Sequence, residues 1–181
     1  VVLGDDPGAN SSQNEQDNRH FARMSYMPVF EPANPAETYK FYLEACRISR
    51  KHQMPVFFRM TTHVCHAREL ISFGEIPEHD FDDTPHYDVE NGPYMPLTEL
   101  VFPLKEKAFD KLEKMEKDAD SDTLNPILSP NSKDGESSRY GVIASSIPAL
   151  SVLENLARSG ANVDVLKLGL SYPWPKNKVR S

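Results

Sequence analysis

Residues 27–60 read as strand, helix and strand joined by short connections. Met27 to Phe30 is a short apolar run, and Met54 to Met60 is a longer one with the character of a buried strand. Between them Asn34 can cap a helix, Pro35 suits its first position, and Glu37 completes a capping box. Ala36, Tyr39, Tyr42, Leu43 and Cys46 recur at helical spacing and are the expected apolar stripe. The helix is expected to end near His52. Strand, helix and strand with joints this short form a βαβ unit of a parallel sheet, so the fold class is α/β.

A second pattern of this kind starts at Tyr140. Gly141 to Ser145 reads as a strand, Pro148 to Arg158 as a helix closed by Gly160, and Val163 to Leu170 as a strand. Residues 71–102 instead alternate prolines with acidic residues and read as an extended connection along the surface. Leu104, Ala108, Leu112 and Met115 give one apolar face to a charged helix near 103–118. Residues 119–139 are rich in Asp, Ser, Asn and Pro, the composition of a mobile connection. The expected organisation is an α/β unit over 1–70, a linker carrying one helix over 71–139, and a second α/β unit begun over 140–181.

The net charge of −7 argues against nucleic acid, which rewards basic patches that release counterions. Lys176 to Arg180 is too short a basic stretch to reverse this. No long uninterrupted apolar run predicts a membrane span. The chain opens Val1-Val2-Leu3, inside a strand-like run, and the expectation is a piece of a longer polypeptide. A strand beginning inside a sheet leaves an edge that invites self-association. The two cysteines, Cys46 and Cys65, support neither a disulfide framework nor a four-cysteine cluster. Reduced thiols in the cytoplasm are the simple reading. His63, Cys65 and His66 match no standard zinc spacing, and Asp80, Asp82 and Asp83 lack the glycine and closing glutamate of a calcium loop. Cys46, on the helical stripe, is expected in the core.

The stretch that carries chemistry follows the first strand. Gly4 to Gly8 reads as a turn, and Ser11, Ser12, Gln13, Asn14, Gln16, Asp17 and Arg19 make a dense run of donors and acceptors. In open parallel sheets, ligands lie on loops at the carboxyl ends of strands. By composition alone, a solvated connection is the better reading. The run Asp5-Asp6-Pro7-Gly8 with Ser11-Ser12-Gln13-Asn14-Glu15-Gln16-Asp17 and Arg19 resembles the alpha subunits of the indolepyruvate:ferredoxin oxidoreductases. Thr61 to Arg68 and Val165 to Pro175 resemble later motifs of that family, in the same order. The chain departs from the pattern at Ala9, Asn10, His63, Cys65 and Ala67.

The resemblance implies a pyrimidine-type thiamine-diphosphate domain followed by the start of a transketolase-C-terminal-like domain. It implies oxidative decarboxylation of an aryl 2-oxoacid, with thiamine diphosphate, magnesium and iron–sulfur clusters as cofactors of the whole enzyme. Its partners would be the remaining domains of the subunit, a beta subunit, ferredoxin and coenzyme A. None of the cofactors is expected in this chain alone, which would be inactive. On this reading Ser11, Ser12, Gln13, Asn14 and Arg19 are suited to a developing oxyanion and a substrate carboxylate. Gln16 and Asp17 belong to the same loop, whose members serve position rather than proton transfer. The alternatives are the same chemistry on another 2-oxoacid, or a non-catalytic assembly module of the same fold.

Overall fold

The computed structural model describes residues 1–4, 7–9, 13–75, 97–132 and 138–180. Its elements in chain order are β1 (Val2–Gly4), α1 (Arg19–Met24), β2 (Val29–Phe30), α2 (Pro35–His52), β3 (Phe57–Arg59), α3 (Thr62–His66), α4 (Thr98–Ala119), β4 (Ile127–Leu128), β5 (Gly141–Ser145), α5 (Ser146–Ser159), β6 (Asp164–Leu168), β7 (Leu170–Tyr172) and α6 (Lys176–Arg180). One sheet has the order β1-β3-β2-β7 and the other the order β4-β6-β5. β3 runs parallel to both β1 and β2, and β5 runs parallel to β6, so both expected βαβ units form. β4 and β7 are antiparallel additions.

The start of α2 follows from local chemistry. The Asn34 side chain accepts a hydrogen bond from the Glu37 N–H at 2.8 Å, and Glu37 accepts one from the Ala33 N–H at 2.9 Å. The buried face differs from the expected stripe. Phe41, Ala45, Ile48 and His52 face inward, while Tyr42 and Leu43 are exposed and Cys46 is only half-buried. Two apolar rows with helical spacing lie side by side on this helix, and spacing cannot say which one meets the sheet. The row carrying Phe41 packs beside Phe30, with ring centroids 6.1 Å apart.

The helix expected near 103–118 spans Thr98–Ala119, with Leu112 and Met115 buried and Leu104 and Ala108 half-buried. Its inner face joins Phe30, Phe41, Ile48, Val56 and Phe58 in one core, to which Leu124 and Leu170 also belong. Asp118 fastens it to the end of α2, accepting from Lys51 at 2.9 Å and lying 3.1 Å from the His52 ring. Most of the proline-rich run expected as a surface connection, residues 76–96, lies outside the described residues.

Residues 119–132 overturn the expectation of a mobile connection. They contain β4, and Asn125 is fully buried. Its carboxamide donates to the carbonyls of Ala119 and Leu170, and it accepts from the N–H groups of Gly169 and Leu170. A polar side chain pays for such burial only when its donors and acceptors are met, and here they are.

The run expected as one strand over 163–170 is two. β6 lies in the second sheet and β7 in the first, and the chain changes sheet at Gly169. A side chain there has no room: a Cβ would sit 2.4 Å from Phe41 and 2.6 Å from the Leu124 carbonyl. A second junction lies at Ser146, whose hydroxyl donates to the Pro32 carbonyl at 3.0 Å. Ser146 is buried and holds φ of 50°, a left-handed conformation that costs a non-glycine residue about 1–2 kcal/mol.

These junctions give two expectations. Gly169→Ala forces overpacking against backbone and is expected to destabilise the chain by roughly 1–3 kcal/mol or more, read from the denaturant midpoint. At Ser146, Gly loses the hydroxyl but relieves the backbone, whereas Ala loses the hydroxyl alone. Ser146→Gly is therefore expected within about 0.5 kcal/mol of the parent, and Ser146→Ala about 1–2 kcal/mol below it. Equal losses in the two variants would show that the backbone there is not strained.

Candidate functional site

The first sheet presents the ends of three parallel strands, β1, β3 and β2, side by side. The chain enters α1 at Arg19, after Asn18. Asn18 comes so close that a Cβ on Gly4 would lie 3.0 Å from its side-chain nitrogen. A strand-end glycine thus lets the polar loop approach the sheet.

Within the loop, Asp17 and Arg19 form a forked pair. The Asp17 carboxylate accepts from the Arg19 backbone N–H at 3.1 Å, from Nε at 2.8 Å and from Nη2 at 2.7 Å. These hydrogen bonds hold the Asp17 carboxyl at about 2, below its ordinary 3.8, and raise the Arg19 guanidinium in turn. The pair lies at the surface, with the Arg19 side chain 45% exposed, so its worth to stability is small.

The loop residues picked from sequence divide accordingly. Asp17 and Arg19 come together, which their Asp-x-Arg spacing could have signalled. Gln13, Asn14 and Gln16 are exposed beside them, and Ser11 and Ser12 lie outside the described residues. Asp5 and Asp6 of the turn also lie outside them. A shallow depression in front of the loop is lined by Glu15, Gln16, Asp17, Asn18, His20 and Phe21, together with Pro7. His20 and Phe21 were missed in the sequence because they open a helix whose other residues look unremarkable in composition.

Behind the loop lies a pair that the sequence reading did not single out. Glu31 directly follows β2 and Arg59 ends β3; the residues are 1% and 4% exposed. Arg59 Nε donates to Glu31 Oε1 at 2.9 Å. Among the described residues, Glu31 Oε2 and Arg59 Nη1 are buried without a hydrogen-bond partner, as is Thr61 Oγ1 just beyond β3. The available signal was a charge closing an apolar run, in Phe30-Glu31 and again in Phe58-Arg59.

No group of three His, Cys, Asp or Glu side chains among the described residues is placed to hold a metal ion. His63, Cys65 and His66 sit exposed on or beside the short helix α3. Asp80, Asp82 and Asp83 fall outside the described residues. No described helix is long and apolar enough to cross a membrane.

No family model matches the chain. Curated relatives match it almost end to end. It is 36% identical over 179 residues to indolepyruvate oxidoreductase subunit IorA of Methanothermobacter marburgensis, covering 99% of this chain and 28% of that protein. The protein of the same name from Archaeoglobus fulgidus is 33% identical over 187 residues, covering 100% of this chain and 28% of the relative. That from Pyrococcus abyssi is 33% identical over 179 residues, with 97% and 27% covered. The chain spans about 28% of the length of these relatives. Across nearly all of its residues, the chain is thus a relative of the indolepyruvate oxidoreductase IorA subunits, homologous to one segment of them.

Proposed function

We propose that this chain is one segment of a 2-oxoacid:ferredoxin oxidoreductase of the indolepyruvate type, and that its polar loop borders the substrate end of a thiamine-diphosphate site. The carrying observation is that Asn18 of the polar loop packs against Gly4, at the carboxyl end of β1 in a sheet whose β1, β3 and β2 run parallel, the side on which open α/β sheets hold ligands. The names of the relatives supply the substrate class, an aryl 2-oxoacid such as indolepyruvate. On this reading residues 1–70 belong to the pyrimidine-type domain, 71–139 join it to the next, and 140–181 open a transketolase-C-terminal-like domain.

Thiamine diphosphate with magnesium supplies the chemistry of decarboxylation when bound. What this chain contributes is binding and orientation. Gln13, Asn14 and Gln16 are exposed and carry amides, a group suited to a carbonyl or carboxylate oxygen. Arg19 already uses two of its nitrogens on Asp17, so its role is to fix the loop and to offer its remaining N–H groups. Iron–sulfur clusters do not fit this segment: it has two cysteines, one on α2 and one on α3, against the four thiolates such clusters take. Clusters, ferredoxin, coenzyme A and a beta subunit would be engaged by other parts of the enzyme. The segment alone is then inactive.

In the full-length subunit assembled with its partners, Asn14→Ala is expected to lower turnover on the order of a hundredfold, the usual effect of losing one positioned donor. Arg19→Lys keeps the charge but loses the fork to Asp17, and substrate affinity is expected to fall. Melting of both should stay near the parent, since exposed loop changes usually cost less than about half a kcal/mol. Steady-state kinetics with parent-like turnover and affinity in both variants would make the loop a mere connection.

For the 181-residue chain alone, calorimetry with thiamine diphosphate and magnesium is expected to show no tight site, because the diphosphate-holding domain is elsewhere. Micromolar binding, about −8 kcal/mol, would overturn the domain assignment.

A further inference from the structure

A groove lies between the residues that follow α1, those that precede β3, and the first half of α4. One wall is Tyr26 with Met54 and Pro55. The other is a stripe of α4, Leu104 and Ala108 with Lys107 and Lys111, whose spacing of three and four residues puts them on one helix face. The first wall is held in place from behind. Tyr26 and Met54 pack against the main core, and the Tyr26 ring meets Phe109 of α4 edge-on, with centroids 5.0 Å apart. Tyr26 also holds φ of 58°, a left-handed conformation that a bulky side chain keeps only when its surroundings impose it.

The chemistry of the groove is one-sided. Its walls are mostly apolar, and among the described residues that line it there are two cations and no carboxylate, in a chain whose net charge is −7. Lys107 and Lys111 stand one helical turn apart, where like charges repel. Lys111 is half-buried and donates to the Gln53 carbonyl at 2.8 Å, which takes up one of the three N–H groups of its ammonium. Burial, and then the charge of Lys107, pull that ammonium below its ordinary value. An anion held between the two lysines would offset both effects. The space is about 230 Å³, less than the roughly 300–1,000 Å³ of sites for drug-sized ligands, so its occupant is small.

We propose that this groove is a binding site for a small carboxylate with an apolar body, the carboxylate held by Lys107 and Lys111 and the body packed against Tyr26, Met54, Pro55 and Leu104. The groove shares no residue with the depression in front of the polar loop, and the proposal does not rest on reading that loop as a substrate border.

The test is calorimetry on the 181-residue chain with phenylpropionate and with hexanoate, which separate an aromatic from an aliphatic body. One site with a Kd on the order of 1 mM or tighter is expected for at least one of them. Phenylpropylamine, of similar shape and opposite charge, is expected not to bind. Lys107→Met and Lys111→Met are each expected to weaken the carboxylate about tenfold or more, the effect of losing one charge-assisted hydrogen bond. Because Lys111 also holds the Gln53 carbonyl, Ala108→Leu is a second test: it narrows the groove, keeps both lysines, and is expected to abolish binding while melting stays near the parent. Neither carboxylate binding at millimolar concentration overturns the proposal. So does binding of the amine as tight as that of the carboxylate, equal binding of inorganic phosphate, or undiminished carboxylate binding in folded Ala108→Leu.

Discussion

Where the chain crosses from one sheet to the other, the backbone of Gly169 and Leu170 needs partners that neither sheet fully supplies, and Asn125 provides them. Its carboxamide meets both N–H groups and the Leu170 carbonyl while also holding the end of α4 through Ala119. The Gly169 N–H reaches the Leu124 carbonyl as well, and its own carbonyl accepts from the Glu31 N–H. This knot sets the height at which β7 joins β2. It thereby also sets the place where Glu31 leaves the sheet. The junction of β7 with the end of β2 depends on this one side chain being satisfied.

The strand ends carry charge in two tiers with different physics. The outer tier, Asp17 and Arg19, is partly solvated and contributes little to stability. The inner tier, Glu31 and Arg59, is enclosed, and its field is weakly screened.

What was readable in the sequence was what local chemistry decides. The Asn34–Glu37 cap, the Gly160 terminus with φ of 69°, and the placement of polar residues after the first strand all depend on neighbours within a few positions. The face of α2 was misread, because choosing between the Tyr42–Leu43 row and the Phe41–Ala45 row requires knowing where the sheet lies. Asn125 was invisible for the same reason. Its partners Gly169 and Leu170 are more than forty residues away, and a segment of Asp, Ser, Asn and Pro has the composition of a loop whether or not one member is buried. The break at Gly169 inside an apolar run was likewise hidden, since both strands it joins are apolar. In the site, the loop was legible as chemistry, but the buried pair behind it was not, because Glu31 and Arg59 meet only through β2–β3 pairing.

The pairing of β7 with β2 has a kinetic consequence. Val29 is matched to Tyr172, so the edge contact of the first sheet closes most of the chain, from 29 to 172, into one loop. Closing it costs entropy before the contact is made, and topologies rich in such distant contacts fold slowly. The βαβ unit built from β2, α2 and β3 can form early from local signals, yet its core waits for Leu170 and for the helix carrying Met115. Until those arrive, one side of Phe30 and Phe58 faces water. A ribosome releasing this segment in order would therefore hold an incomplete apolar core until its last strand emerged.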